Sequence, residues 1–426
     1  MLSAAGIMAA PYVAQGAFAN PGTVSVRQSQ DKLKPLPHPL YVAQPAMPPR
    51  RALDARLDEV YASGWLTNNG PQVRELEARL GRRLRVPQVA YVSNGTVALQ
   101  LALQALDVRG SVITTPFSYV ATANAIALAG CAPVFADVDA DTLCLDPDAL
   151  AAALRPDTAA VFAVPVYGRP CRHEALAAFA KTHGLRLIYD AAHAFGTELN
   201  GHSLAGLGDA ASLSFHATKA FHSVEGGGVV LADAGARERV GYLRSHGHAD
   251  DEYAMVGTNA KNSELHAAVG LCNLEGFDEA VVRRCRVYET YRRAFGGSAV
   301  RMFDPGSFAG LRYNYAYAPV RFPDEESLLA AKAHLESLNV FPRRYFHPSL
   351  ASLPQFGAQD ACPRAAEAAR TSLCLPLSPE LPLATARAIA MATLSAIEAG
   401  VATAATQVPG SRPARVPTEG RPNVLT

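Results

Sequence analysis

Seven short apolar and β-branched runs punctuate the chain, at 89–93, 112–116, 133–138, 159–166, 186–190, 211–215 and 228–232. Between them, apolar positions recur at helical spacing, as in VALQLALQAL from Val97. Runs that are apolar throughout suit strands covered on both faces. Their alternation with amphipathic helices predicts an α/β fold with a mostly parallel, seven-stranded sheet. Ligands in such sheets sit beyond the carboxyl ends of the strands, near a switch in strand order, so polar residues at those ends are the first candidates for chemistry.

The flanks read differently. Residues 1–50 form an expected N-terminal arm, Pro- and Gln-rich from residue 20 and partly disordered. Residues 2–19 are apolar and end in an A-x-A-like triplet, but they lack a basic n-region and are interrupted by Pro11 and Gly16. A disordered or over-extended start is expected there, not a secretory signal or a span. Residues 51–280 are expected to form the large domain, opening with a short helix (51–61). A Gly/Asn/Pro loop at 64–71 follows, and then Val73, Leu76 and Leu80 at helical spacing. Residues 281–400 alternate helical stretches (EESLLAAKAHLESL, LATARAIAMATLSAIEAG) with the strand-like NYAYAPVRF, which suits a small α+β domain. The stretch 401–426 is rich in Pro, Ala, Thr and Arg without apolar periodicity and reads as a disordered tail.

Composition narrows the function classes. With 49% hydrophobic residues in 426, the chain can bury one large core and a smaller one. The formal charge is +1 and no basic stripe appears, which points away from a nucleic-acid partner. Seven cysteines stand singly with no CxxC pair, which fits a reducing cytoplasm better than a disulfide framework or a zinc ribbon. His246, His248, Asp250 and Asp251 cluster in a polar segment without the helical spacing of a zinc motif. They read as a surface loop, and no metal is expected. Gly226 to Gly228 lack the strand–GxGxxG–helix order of a dinucleotide site.

Four strand ends carry suspicious residues. The run 211–215 leads to Lys219, then to Glu225 and three glycines, in a chain where Arg carries most of the positive charge. A lysine after a strand is ordinarily a solvated charge, but in a buried pocket it can form a Schiff base with a carbonyl. LRLIYD ends in Asp190, a costly carboxylate unless it caps a helix or meets a cation such as a protonated ring nitrogen. His193 lies one helical turn on. VAYVS ends in Asn94-Gly95-Thr96 at a helix start, where Thr96 is either an ordinary N-cap or part of an anion site. Tyr119 follows the second strand and Trp65 sits in the 64–71 loop, each suited either to packing or to covering a ligand.

Together, SGWLTNNGP, SNGTVAL, TPFSYVATANAI, GCAPVFADVD, YDAAHAFG, SFHATKAFHSVEGGGVV and GTNAKNSELHAAVGL resemble the DegT/StrS-type sugar aminotransferases, a group with the fold type I architecture that uses pyridoxal 5′-phosphate (PLP). The likeness runs over roughly residues 55–395. It implies that Lys219 carries PLP through a Schiff base, that Asp190 pairs with the pyridine nitrogen, and that Ser214, Thr96 and the Gly95 backbone hold the phosphate. It places Tyr119 over the ring. Asn259 would reach the phosphate of a neighbouring subunit, which implies a homodimer with shared sites. His193 stands where the group usually has Gln; it can contact the ring or its 3′-oxygen, and as an ionisable group it would alter the pH response.

Within the group, SFHATKxFHxxEGG and RRYFHPSL most resemble enzymes that make dTDP-4-amino-4,6-dideoxyglucose. The likeness implies L-glutamate as donor, a nucleotide-linked 4-keto-6-deoxy sugar as acceptor, and no membrane association. Trp65, Thr67, Arg343, Arg344, Tyr345 and His347 would face the nucleotide sugar, although the last four also suit a basic surface loop. The product's destination, an O-antigen, another glycan or an antibiotic, stays open. A branch of the group has His at the lysine position and dehydrates sugars. Lys219 argues for transamination over dehydration, and over a PLP-holding regulatory relative that never turns over.

Overall fold

A computed structural model describes residues 33–358 and 362–406. They belong to one unit that begins at Leu33. The segments 1–32 and 407–426, where an arm and a tail were expected, lie outside the described residues.

The apolar runs become the strands of one sheet: β1 (Ala90–Val92), β2 (Ser111–Thr114), β3 (Ala132–Phe135), β4 (Thr158–Ala163), β5 (Arg186–Asp190), β6 (Ala210–Ser214) and β7 (Gly227–Leu231). Their spatial order is β1-β7-β6-β5-β4-β2-β3. The β3/β2, β2/β4, β4/β5 and β5/β6 pairs are parallel, and β7 runs antiparallel to both β6 and β1. Because β7 alone is reversed, β1, β2, β5 and β6 all end at the same edge. Side chains such as Ile113, Phe162 and Ile188 are fully buried, which explains why no polar alternation marks these strands.

The helices in chain order are α1 (Arg50–Ser63), α2 (Pro71–Leu84), α3 (Gly95–Ala105), α4 (Val120–Leu128), α5 (Leu150–Ala153), α6 (His173–Thr182), α7 (Ala234–Leu243), α8 (Glu264–Glu275), α9 (Phe277–Phe295), α10 (Glu325–Ser337), α11 (Pro363–Thr371) and α12 (Leu383–Thr406). α3 covers β6 and β7, and its buried Leu99, Leu101 and Leu103 join Val112, Phe162 and Ile188 in one core. A second sheet, β8 (Arg301–Met302), β9 (Ala318–Arg321) and β10 (Ser372–Leu375), is antiparallel. It shares a core with α9, α10 and α12 through Tyr288, Tyr291, Val320, Leu328, Leu335 and Ile389.

Two expected boundaries fall inside helices. The division at 280 lies within α9, which links the two layers without a break. The tail expected from 401 begins inside α12, which runs on to Thr406. The reason is local, since residues 401–406 (VATAAT) contain helix-compatible alanines and the first proline comes only at Pro409. The described part of the arm is ordered: Leu40–Tyr41 pairs in parallel with Val340–Phe341, and the Leu377 N–H donates to the Val42 carbonyl (3.1 Å). Among the described residues, no helix is long and apolar enough to cross a membrane.

Candidate active site

The shared strand edge opens into a cavity of about 240 Å³ lined by Gly95, Thr96, Tyr119, Asp190, His193, Ser214, Lys219, Arg343 and Tyr345. They arrive on several different elements. Gly95 and Thr96 open α3, Tyr119 caps α4, Asp190 ends β5, Ser214 ends β6, and Lys219 lies in the link from β6 to β7.

The start of α3 shows why glycine stands there. The Asn94 side chain accepts the Val97 N–H (2.9 Å), so Asn94, not Thr96, is the N-cap. Thr96 is thereby left free to line the cavity. A Cβ on Gly95 would come within 2.7 Å of the Ser214 Cβ, and one on Gly227 within 2.4 Å of the Asn94 carbonyl oxygen. Gly227 therefore allows β7 to pack closely against the turn that opens α3.

Asp190 is 5% exposed. One carboxylate oxygen accepts the Thr122 hydroxyl (2.6 Å) and the other the Ala192 N–H (3.2 Å). Burial pushes its carboxyl above the usual range, opposed by Thr122, Ala192 and the Lys219 charge. Burial likewise pushes the Lys219 amine below its ordinary value, against the pull of Asp190. Lys219 Nζ donates to the Tyr317 hydroxyl at 3.1 Å.

His193 Nδ1 accepts the Tyr167 N–H (3.3 Å), and its ring stacks on Phe346 at 5.5 Å and 2°. Burial, with the Lys219 charge, holds it well below the usual imidazole range. Burial thus favours the neutral imidazole of His193. The segment 343–347 reaches the cavity because Arg343 pairs with Cys374 at the edge of β10 (3.0 and 2.8 Å). The Arg343 guanidinium lies over the Tyr345 ring (5.4 Å), and burial raises the Tyr345 phenol to about 12.

Other expected residues are not brought to the cavity. Arg344 turns away: its guanidinium donates to Glu325 (2.6 Å), and His347 lies 3.9 Å from the same carboxylate. Both face the first turn of α10 and do not line this chain's cavity. Trp65 and Thr67 are exposed and bonded to each other, Trp65 Nε1 donating to the Thr67 carbonyl (2.5 Å). Their loop is tied down by the buried Glu264. Its carboxylate accepts the Gln72 (2.7 Å) and Val73 (3.0 Å) N–H groups at the start of α2, and its own N–H donates to the Leu66 carbonyl (3.0 Å). Asn259 is exposed, accepts from Lys261 (2.9 Å) and lies outside this chain's cavity.

Residue-level reading missed Tyr317, Thr122, His216 and Glu225. Thr122 lies in the first turn of α4, inside the quoted TPFSYVATANAI, and its position there was the available signal. His216 and Glu225 line the cavity 3.5 Å apart, and both stand within the quoted lysine motif. For Tyr317 there was no local signal, because its contact spans 98 positions.

The arrangement fits PLP. An amine depressed by burial can reach a carbonyl, and a buried carboxylate without an ion-pair partner among the described residues suits a protonated ring nitrogen. The close-packed helix start beside Thr96 and Ser214 suits a phosphate.

Comparison with known proteins agrees. The model of the DegT/DnrJ/EryC1/StrS aminotransferase family matches residues 50–393. A dTDP-4-amino-4,6-dideoxy-D-glucose transaminase from Shigella dysenteriae is 37% identical over 354 residues, covering 80% of this chain and 95% of that protein. A pleiotropic regulatory protein from Geobacillus stearothermophilus is 34% identical, covering 76% of this chain and 89% of that one. The crystal structure of DesI in the presence of its TDP-sugar product superposes with a TM-score of 0.82 at 36% identity, covering 87% of this chain and 96% of that one. The chain belongs to the DegT/DnrJ/EryC1/StrS aminotransferase family.

Proposed function

We propose that the protein is a PLP-dependent sugar aminotransferase that moves an amino group from L-glutamate to C4 of a dTDP-linked 4-keto-6-deoxy sugar. The observation that carries this reading is the meeting of Lys219, Asp190 and the start of α3 around one cavity. The substrate class is supported by the likeness to the Shigella dysenteriae transaminase and to DesI.

When bound, PLP supplies an electron sink for charge developing at the substrate carbon. Lys219 Nζ would be the base that takes the proton from that carbon and delivers it two bonds away, across the intervening nitrogen. Asp190 keeps a proton on the ring nitrogen, and Thr122 and the Ala192 N–H hold the carboxylate in place. Gly95, Thr96 and Ser214 bind the phosphate, Tyr119 covers the ring, and the buried imidazole of His193 excludes water beside it. Arg343 offers a planar fork to the sugar diphosphate, with Tyr345 beneath it.

The working form on this reading is a homodimer in which Asn259 of each chain completes the other's phosphate site. A cytoplasmic location is supported by the seven free cysteines, six of them buried.

The likeness to a pleiotropic regulatory protein favours a second reading, a PLP-holding regulator without turnover. Lys219→Ala decides between them. On the first reading the variant loses multiple-turnover transamination by on the order of 10³-fold, read as amino-sugar product by mass spectrometry. A wild-type protein that no amino donor can convert supports the second.

A further inference from the structure

Among the described residues, the Lys219 amine donates one hydrogen bond, to the hydroxyl of Tyr317 at 3.1 Å. That ring is 8% exposed and held from three sides. It meets His193 edge-on at 4.7 Å, Tyr167 at 5.9 Å and Tyr345 at 6.0 Å and 90°. The segment leading to it is anchored too: the Asn314 side-chain amide, three residues upstream, donates to the His193 (2.7 Å) and Phe195 (3.0 Å) carbonyls. The hydroxyl is thus a fixed point. The Lys219 side chain, with four rotatable carbons, is not.

Two spaces meet at this pair. One is the open cavity, and the other is a narrow recess, too tight for a water, bounded by Ala220, Asn314 and Ala316. Lys219 and Tyr317 line both. Burial keeps the phenol protonated, so it offers the amine a lone pair without adding a charge.

We propose that Tyr317 is a positioning residue for Lys219: its hydroxyl holds the freed amine at the cavity, within reach of the substrate carbon. The proposal rests on the transaminase reading, since it is in a turnover cycle that the freed amine acts on the substrate carbon.

The test uses Tyr317→Phe and Tyr317→His in the full chain. In the loaded enzyme, Tyr317→Phe should slow the glutamate half-reaction by about 10- to 100-fold while the KM for glutamate stays within about twofold, and Tyr317→His, whose ring nitrogen can accept, should recover much of the rate. A second readout needs no turnover: reductive methylation of Lys219 in the cofactor-free chain, followed by peptide mass spectrometry against pH. Asp190, His193, Tyr119, Tyr345 and Tyr317 face the amine. Removing the one hydroxyl that accepts from its charged form should shift the methylation midpoint to lower pH and speed the reaction at neutrality. A folded Tyr317→Phe with unchanged half-reaction and unchanged methylation overturns the proposal. If Tyr317→Phe fails to fold, a folded Tyr317→His decides: near-wild-type half-reaction supports it, and a loss as deep as that of Lys219→Ala overturns it. Should wild-type protein react with no amino donor, the transaminase reading fails, while the methylation comparison still reports whether Tyr317 holds the amine.

Discussion

Burial sets the charge on the nitrogens that face the cavity, and the consequences can be read one residue at a time. His193 refuses a proton in the folded state that it accepts once unfolded. The unfolded chain therefore binds more protons below the ordinary imidazole value of 6.5, and stability falls as pH drops through it. One such group contributes a slope of up to about 1.4 kcal/mol per pH unit. His193→Gln in the cofactor-free protein should flatten the fall in urea midpoint between about pH 7 and 5, the window just below that value; an unchanged slope would count against a buried neutral imidazole. Neighbouring arginines separate just as sharply. Arg343 faces the cavity and Arg344 ties α10 to the carbonyls of Ala369 and Arg370. Steady-state kinetics of Arg343→Ala should show a KM for the nucleotide sugar raised by about 10-fold or more. Arg344→Ala should lower Tm and leave that KM alone. The reverse pattern would put Arg344 at the sugar.

Elements set how closely the cofactor site can be approached. The α3 start is packed so tightly on Ser214 that Gly95→Ala must displace one of them. The expected result is a loss of PLP affinity of about 10-fold or more, seen by fluorescence titration, with the fold retained by circular dichroism; unchanged affinity would remove the α3 start from the phosphate site. The seven main strands were legible because each is apolar on both faces, so burial alone announces them. Lys219 and Asp190 were legible because each breaks that rule at a strand end. The two-residue strands of the outer layer carry too few positions for any period to show. The direction of Arg344 and His347 was not legible because a run of polar residues does not say which way it points, and Glu325, 19 positions upstream of Arg344, draws both away from the cavity. The place of Trp65 and Thr67 was hidden for a similar reason, since the loop holding them is tied by Glu264, 192 positions from the Gln72 it caps. Thr96 was weighed as a cap because its hydroxyl suits one, yet Asn94 lies one residue before the helix and takes the role.

At the scale of the whole molecule, the two layers meet where chemistry is expected. The sheet supplies Lys219, Asp190 and Ser214, and the second layer delivers Tyr317 beside β9 and the 343–347 segment beside β10. Asn259 lies outside this chain's cavity, and the proposed shared site would place it at a neighbour's. Mixing inactive Lys219→Ala with a weakened Asn259→Ala variant should restore activity, because one site of each mixed dimer then has both residues intact. Absence of complementation in a mixture shown to exchange subunits would contradict shared sites. The most direct test of the aminotransferase reading is a pair of half-reactions on purified protein. L-glutamate should abolish the absorbance of the lysine-linked cofactor, and, after the donor is removed, dTDP-4-keto-6-deoxyglucose should bring it back with release of a dTDP-amino sugar. Bleaching by glutamate that this sugar does not reverse would contradict the substrate, and a cofactor that no amino donor can bleach would contradict transamination itself.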